Sequence, residues 1–164
     1  MKLIHVAGFS NTGKTTFILD FIPVLAKYGK VGVIKHLGHH RYETEKHGEL
    51  KDTSRFFELD ASFVAGIDDE KTVIAVPRTL LSDITALYAA LGVEYAVIEG
   101  FKRAPCRKIW FGKREEAEEI GVLPYCILWN PTIDDVVHHL EAFDSWHPAF
   151  FDGQGEEELM SKMK

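Results

Sequence analysis

Long apolar runs, cysteine and surplus positive charge are all scarce in this chain. No apolar stretch is long enough to span a bilayer, which argues against a membrane segment. The first apolar run starts at once and breaks at Gly8, unlike a secretory leader, so a cytoplasmic protein is expected. The two cysteines, Cys106 and Cys126, lack metal-ligand spacing and are expected as reduced thiols rather than a disulfide. A net charge of −6 argues against general nucleic-acid binding. Glutamine occurs once, at Gln154 near the C-terminus, so no glutamine is expected to orient water beside a phosphate.

What is present is an ordinary globular composition, 46% hydrophobic and 27% charged over 164 residues, enough for one core. The informative stretch is Gly8-Phe9-Ser10-Asn11-Thr12-Gly13-Lys14-Thr15, which fits G-x-x-x-x-G-K-[ST]. Glycines at 8 and 13 let the backbone turn so that its N–H groups face a bound phosphate. Lys14 is expected to reach the outer phosphates and the Thr15 hydroxyl to bind Mg²⁺. The helix opening near Thr12 adds its positive end, so Asn11, Thr12, Gly13, Lys14, Thr15 and Thr16 are the expected binding residues. A strand-like run at 2–7 before the loop, and apolar residues at 17, 18, 21, 22 and 25 after it, give the strand–loop–helix context the motif needs.

Further along, 31–35 reads as a buried parallel strand. Its end delivers Lys35 and His36 beside the loop if the two strands are neighbours. Residues 36–55 are polar, hold His36, His39, His40 and His47, and read as a switch segment before a short helix at 55–59. Runs 61–66 and 72–76 read as a hairpin, and 79–91 as a helix ended by Gly92. Next, Tyr95-Ala96-Val97-Ile98-Glu99 is an apolar strand with an acid at its carboxyl end. Glu99 is therefore the expected carboxylate near Mg²⁺, while Glu94, roughly 17 Å away at ~3.3 Å per residue, is expected at the surface. Lys102, Arg103, Arg107 and Lys108 concentrate positive charge on the following loop, either as a solvated loop or as an anion site. A strand at 109–111, a short acidic helix at 114–120, a last strand at 125–129 and a helix from Thr132 or Asp134 follow. Asn130, where the last strand ends, and Asp134, near the start of the final helix, could touch the base, and Asn130 also reads as an ordinary strand end before proline. The expected organisation is one nucleotide-binding domain over 1–146 and a weakly ordered tail over 147–164. The expected fold is a three-layer α/β P-loop NTPase domain around a mostly parallel sheet.

Four stretches together resemble the molybdopterin-guanine dinucleotide biosynthesis protein B (MobB) family. They are the loop with Phe21-Ile22-Pro23 in the following helix, Ile34-Lys35-His36 with His39, Lys51-Asp52-Thr53-Ser54-Arg55 leading to Ala61, and Ile98-Glu99-Gly100-Phe101-Lys102 followed by Lys108-Ile109. The resemblance runs to about residue 111, and more loosely to about 143. It implies a homodimeric protein that binds GTP with Mg²⁺ and hydrolyses it slowly at most. Its implied role is to assist the molybdenum cofactor guanylyltransferase that joins GMP to molybdopterin. The family's site residues fall on Lys14, Thr15, Lys35, His36, Asp52 and Glu99, with Thr15, Asp52 and Glu99 toward the metal and Glu99 and Asp52 toward any catalysis. Lys102 and Arg103 are the candidate pterin or partner site. This chain departs from the family pattern at His40, at Glu49-Leu50 and at Glu94. Two other classes fit the loop: a metal-delivering GTPase using His36–His47, and a small-molecule kinase.

Overall fold

The computed structural model describes residues 1–37, 63–76, 80–148 and 150–151. The chain forms two compact units, one from Met1–His36 and the chain from Leu81 onward, the other from Leu37–Leu80.

The first unit is organised on β1 (Lys2–Gly8), whose residues 3–8 are all buried. A continuous apolar run of this kind belongs in the middle of a parallel sheet covered on both faces. Strand order is β2 (Val31–Lys35), β5 (Tyr95–Glu99), β1, β6 (Lys108–Phe111), β7 (Cys126–Trp129), with neighbours parallel. β2 is therefore not the neighbour of β1, because β5 lies between them. Local patterning carries no information on strand order, so the sequence left that point conditional. A short β8 (Asp144–Ser145), not expected from sequence, pairs antiparallel with Lys2 and Leu3 where β6 has not yet begun. β7 is thus not the last strand.

Alternation along β1 sorts the core into two faces. Ile4 and Val6 pack with Phe21 and Leu25 of α1 (Lys14–Leu25) and with Val136 of α4 (Ile133–His138). Burying Phe21 and Leu25 contributes roughly 1.5–3 kcal/mol each. On the other face, Leu3 packs with Leu81 of α2 (Leu81–Ala90), and Ala7 with Trp110 and with Ala117 of α3 (Arg114–Glu119). This is the expected three-layer arrangement. Phe151, in the stretch expected as a tail, is buried with Leu3 and Ile98, and the Trp146 N–H bonds to Met1 O at 2.9 Å.

The connection from β5 to β6 decides the site. Both strands flank β1 in parallel, and such a crossover ordinarily takes a dozen or more residues. Here His5 pairs with Ile98 near the end of β5 and with Lys108 at the start of β6. The stagger brings the two ends level, and residues 100–107 cross β1 over His5. Ala104 and Cys106 are buried there.

In the second unit the expected hairpin forms from β3 (Val64–Ile67) and β4 (Thr72–Ala75). Asp68 Oδ1 closes the turn by accepting from Glu70 N and Lys71 N, both at 2.7 Å. The expected helix at 55–59 and most of the expected switch segment lie outside the described residues.

Candidate functional site

The loop between β1 and α1 is shaped by backbone that only some residues tolerate. Gly8 has φ 143°, and a Cβ there would stand 2.1 Å from Phe111 O, so the loop leaves β1 where a side chain has no room. Asn11 and Gly13 are also left-handed, with φ 63° and 86°. Thr12 Oγ1 donates to Phe9 O at 2.9 Å, closing the loop on itself. α1 begins at Lys14, two residues later than the sequence suggests, because Gly13 is its N-cap. It has no side-chain cap and no acid in its first turn, so the positive end of a twelve-residue helix is left uncancelled.

Two other strand ends converge on this turn. Glu99, buried at the end of β5, accepts from Thr15 Oγ1 at 2.8 Å. Lys35, at the end of β2, reaches Glu99 Oε2 at 3.0 Å and Thr15 Oγ1 at 3.3 Å. Lys35 thus arrives beside the loop although its strand is one further away than a neighbour. Lys14 Nζ donates to Phe9 O and to Thr12 Oγ1. Burial lowers its pKa, Glu99 opposes that shift, and the charges of Lys102 and Lys35 add to it. Lys102 Nζ stands 4.3 Å over the Phe9 ring, which packs edge-on against Trp110. One carboxylate, two hydroxyls, three ammonium groups and a helix N-terminus therefore meet in one place. Such a set suits a polyanion bound with a divalent cation: the cations and N–H groups take the anion, and Thr15 with Glu99 offers hard oxygen ligands.

The other nominated residues are distributed as follows. Asn11 and Thr16 lie exposed on the loop and the first turn of α1. The His36 N–H bonds to Glu99 O at 2.9 Å, and its ring packs 4.6 Å from Phe101. Arg103 is exposed on the 100–107 loop. Asp52, His39, His40 and His47 lie outside the described residues. Glu94 is exposed, as expected. Asn130 is taken up structurally: its side chain accepts from Gly112 N at 2.9 Å and donates to Gly112 O at 3.1 Å, clasping the ends of β6 and β7.

Of the two remaining charges expected on this loop, Arg107 stays exposed and Lys108 is corrected. Arg107 faces β8, with its guanidinium on Ala142 O and near Asp144. Lys108 is fully buried, and its Nζ donates to Lys102 O and Ala104 O, both at 2.7 Å. Burial brings its pKa down to about 8. Beside it His5 is also fully buried, with Nε2 2.6 Å from Gly100 O and Nδ1 3.1 Å from Cys106 Sγ. Burial, then the charge of Lys108, pushes the His5 pKa down to about 3, and burial pushes the Cys106 thiol up to about 12. His5 is therefore neutral, donating from Nε2 to Gly100 O and accepting a hydrogen bond from the Cys106 thiol at Nδ1. The sequence did carry a signal for part of this group. His5 interrupts the apolar run of β1 at an inward position, where a polar side chain must find partners, whereas Lys108 stands at the head of its strand, next to Arg107, and carries no such signal.

The sequence model for molybdopterin guanine dinucleotide synthesis protein B (MobB) matches residues 3–124. The chain belongs to the MobB family. A molybdopterin-guanine dinucleotide biosynthesis adapter protein of Haemophilus influenzae is 33% identical over 132 residues, 78% of this chain and 72% of that relative. A probable adapter protein of Bacillus subtilis is 34% identical over 109 residues, 65% of this chain and 62% of the relative. Among solved structures, Bacillus subtilis MobB superposes with a TM-score of 0.63 at 25% identity, covering 100% of this chain and 99% of that one. A MobB homolog from Bacillus stearothermophilus gives 0.56 at 22% identity, covering 87% and 94%, and speaks to the fold alone. No helix among the described residues is long and apolar enough to cross a membrane.

Proposed function

We propose that this member of the MobB family binds GTP with Mg²⁺ at the 8–15 loop. In this reading it acts as an adapter for the molybdenum cofactor guanylyltransferase, the enzyme that joins GMP to molybdopterin. The observation that carries the reading is the meeting of Thr15, Glu99 and Lys35 at the open end of α1, beside Lys14. Lys14 and the loop N–H groups hold the phosphates, Thr15 and Glu99 hold the cation directly or through water, and Lys35 balances the carboxylate. The adapter role follows the names of the curated relatives.

Hydrolysis is slow in this reading. Fast phosphoryl transfer to water needs a group that orients the nucleophile and a charge that stabilises the transition state. Glu99 is occupied by Thr15 and Lys35, and the single glutamine is far along the chain at 154. The protein delivers nucleotide rather than consuming it, and it works as a homodimer.

The adapter reading is tested by adding the purified chain to a reconstituted GMP-transfer reaction containing guanylyltransferase, molybdopterin, GTP and Mg²⁺. Product formation is expected to rise with the wild-type chain. Lys14→Ala removes a charge-assisted contact to the phosphates, about 1.5–3 kcal/mol, so it should lose most of the stimulation. Equal stimulation by both chains, or none by the wild type, speaks against the reading.

A further inference from the structure

A loop laid across a buried sheet face brings backbone carbonyls where water cannot satisfy them. Residues 100–107 do this over β1, and side chains beneath them supply the donors. His5 takes Gly100 O, and Lys108 takes Lys102 O and Ala104 O. Lys108 thus binds the same residue whose ammonium stands over Phe9. The Phe9 ring also packs edge-on with Trp110, two residues along β6 from Lys108.

We propose that Lys108 is a positioning residue: by holding the Lys102 and Ala104 carbonyls from below, it fixes the Lys102 ammonium over Phe9 at the rim of the 8–13 loop. It touches no ligand itself. A surface lysine on a free loop adds charge that wanders, whereas Lys102 is anchored at its backbone by Lys108 and at its tip by Phe9. The ordering entropy of that side chain is thereby met in folding rather than at binding. The local turn supports the same geometry, with Ala104 N–H on Phe101 O at 2.8 Å and Cys106 N–H on Ala104 O at 2.9 Å. Relevance to binding rests on the proposed phosphate site, but the placement of Lys102 does not.

The test uses the full chain without nucleotide first. In the wild type, the Lys102 ε-methylene signal should carry an upfield ring-current shift from Phe9. Lys108→Met, which keeps length and removes the donors, should abolish that shift and speed exchange of the Ala104 and Cys106 amides, leaving β1 amides protected. An unchanged shift overturns the proposal. The second arm titrates inorganic tripolyphosphate with Mg²⁺ into wild type, Lys102→Met, Lys108→Met and the double variant. Each single variant should weaken binding several-fold, and the double should lose no more than Lys102→Met alone. Additive losses overturn the proposal, because Lys108 would then act by another route. If the wild type does not bind tripolyphosphate, the phosphate-site reading fails while the ring-current arm still decides the role of Lys108. Should Lys108→Met fail to fold, Lys108→Gln keeps two N–H donors on a shorter arm, and the same readouts should shift in the same direction.

Discussion

At the scale of single residues, Glu99 is the buried carboxylate of the site. A buried carboxylate needs partners, and it has Thr15 and Lys35. With Mg²⁺ and a triphosphate present, its charge is expected to set metal dependence. Glu99→Gln keeps the shape and removes the charge. It should cut Mg²⁺-dependent GTP affinity about tenfold, roughly 1.4 kcal/mol, while metal-free affinity holds or rises. Titrations with and without Mg²⁺ check this, and an unchanged metal dependence would remove Glu99 from the cation site. The sequence nominated Lys14 and Thr15 because the motif's spacing has a direct chemical meaning, and Glu99 because it ends an apolar strand. It misplaced Lys108 because a lysine in a basic cluster reads as surface charge, and only the level ends of β5 and β6 turn it inward. Asn130 was open to a base contact, but its amide is committed to Gly112.

At the scale of elements, the 100–107 crossing links fold to pH. His5 lies under it as a neutral ring, facing the Lys108 ammonium and the Cys106 thiol. Its folded pKa, about 3, is below the ordinary 6.5. Below pH 6.5 the unfolded chain takes up a proton that the folded chain refuses. The contribution of His5 is therefore complete above pH 6.5 and falls as pH drops toward 3, at roughly 1 kcal/mol per pH unit. Urea unfolding between pH 7 and pH 4 should show the wild type losing more stability than His5→Gln. Parallel losses would mean that His5 is not held neutral. The strands on either side of this crossing were legible from their apolar runs and from the acid ending β5. The crossing itself was not, since stagger is a property of the assembled sheet.

At the scale of the molecule, the layered sheet was legible because loop, helix and strands alternate in the order that an α/β domain requires. Strand order was not, and β2 proved to be separated from β1 by β5. Lys35 still reaches Thr15 because its long side chain spans that gap, past the carboxylate between them. The family is MobB, and the central proposal is a Mg²⁺-dependent guanine nucleotide site at the carboxyl ends of β1, β2 and β5. Calorimetric titration of the purified chain with GTP, ATP and GDP, each with and without Mg²⁺, tests it most directly. GTP should bind more tightly than ATP, and Mg²⁺ should strengthen GTP binding more than GDP binding. Preference for ATP, or binding indifferent to Mg²⁺, would contradict the proposal.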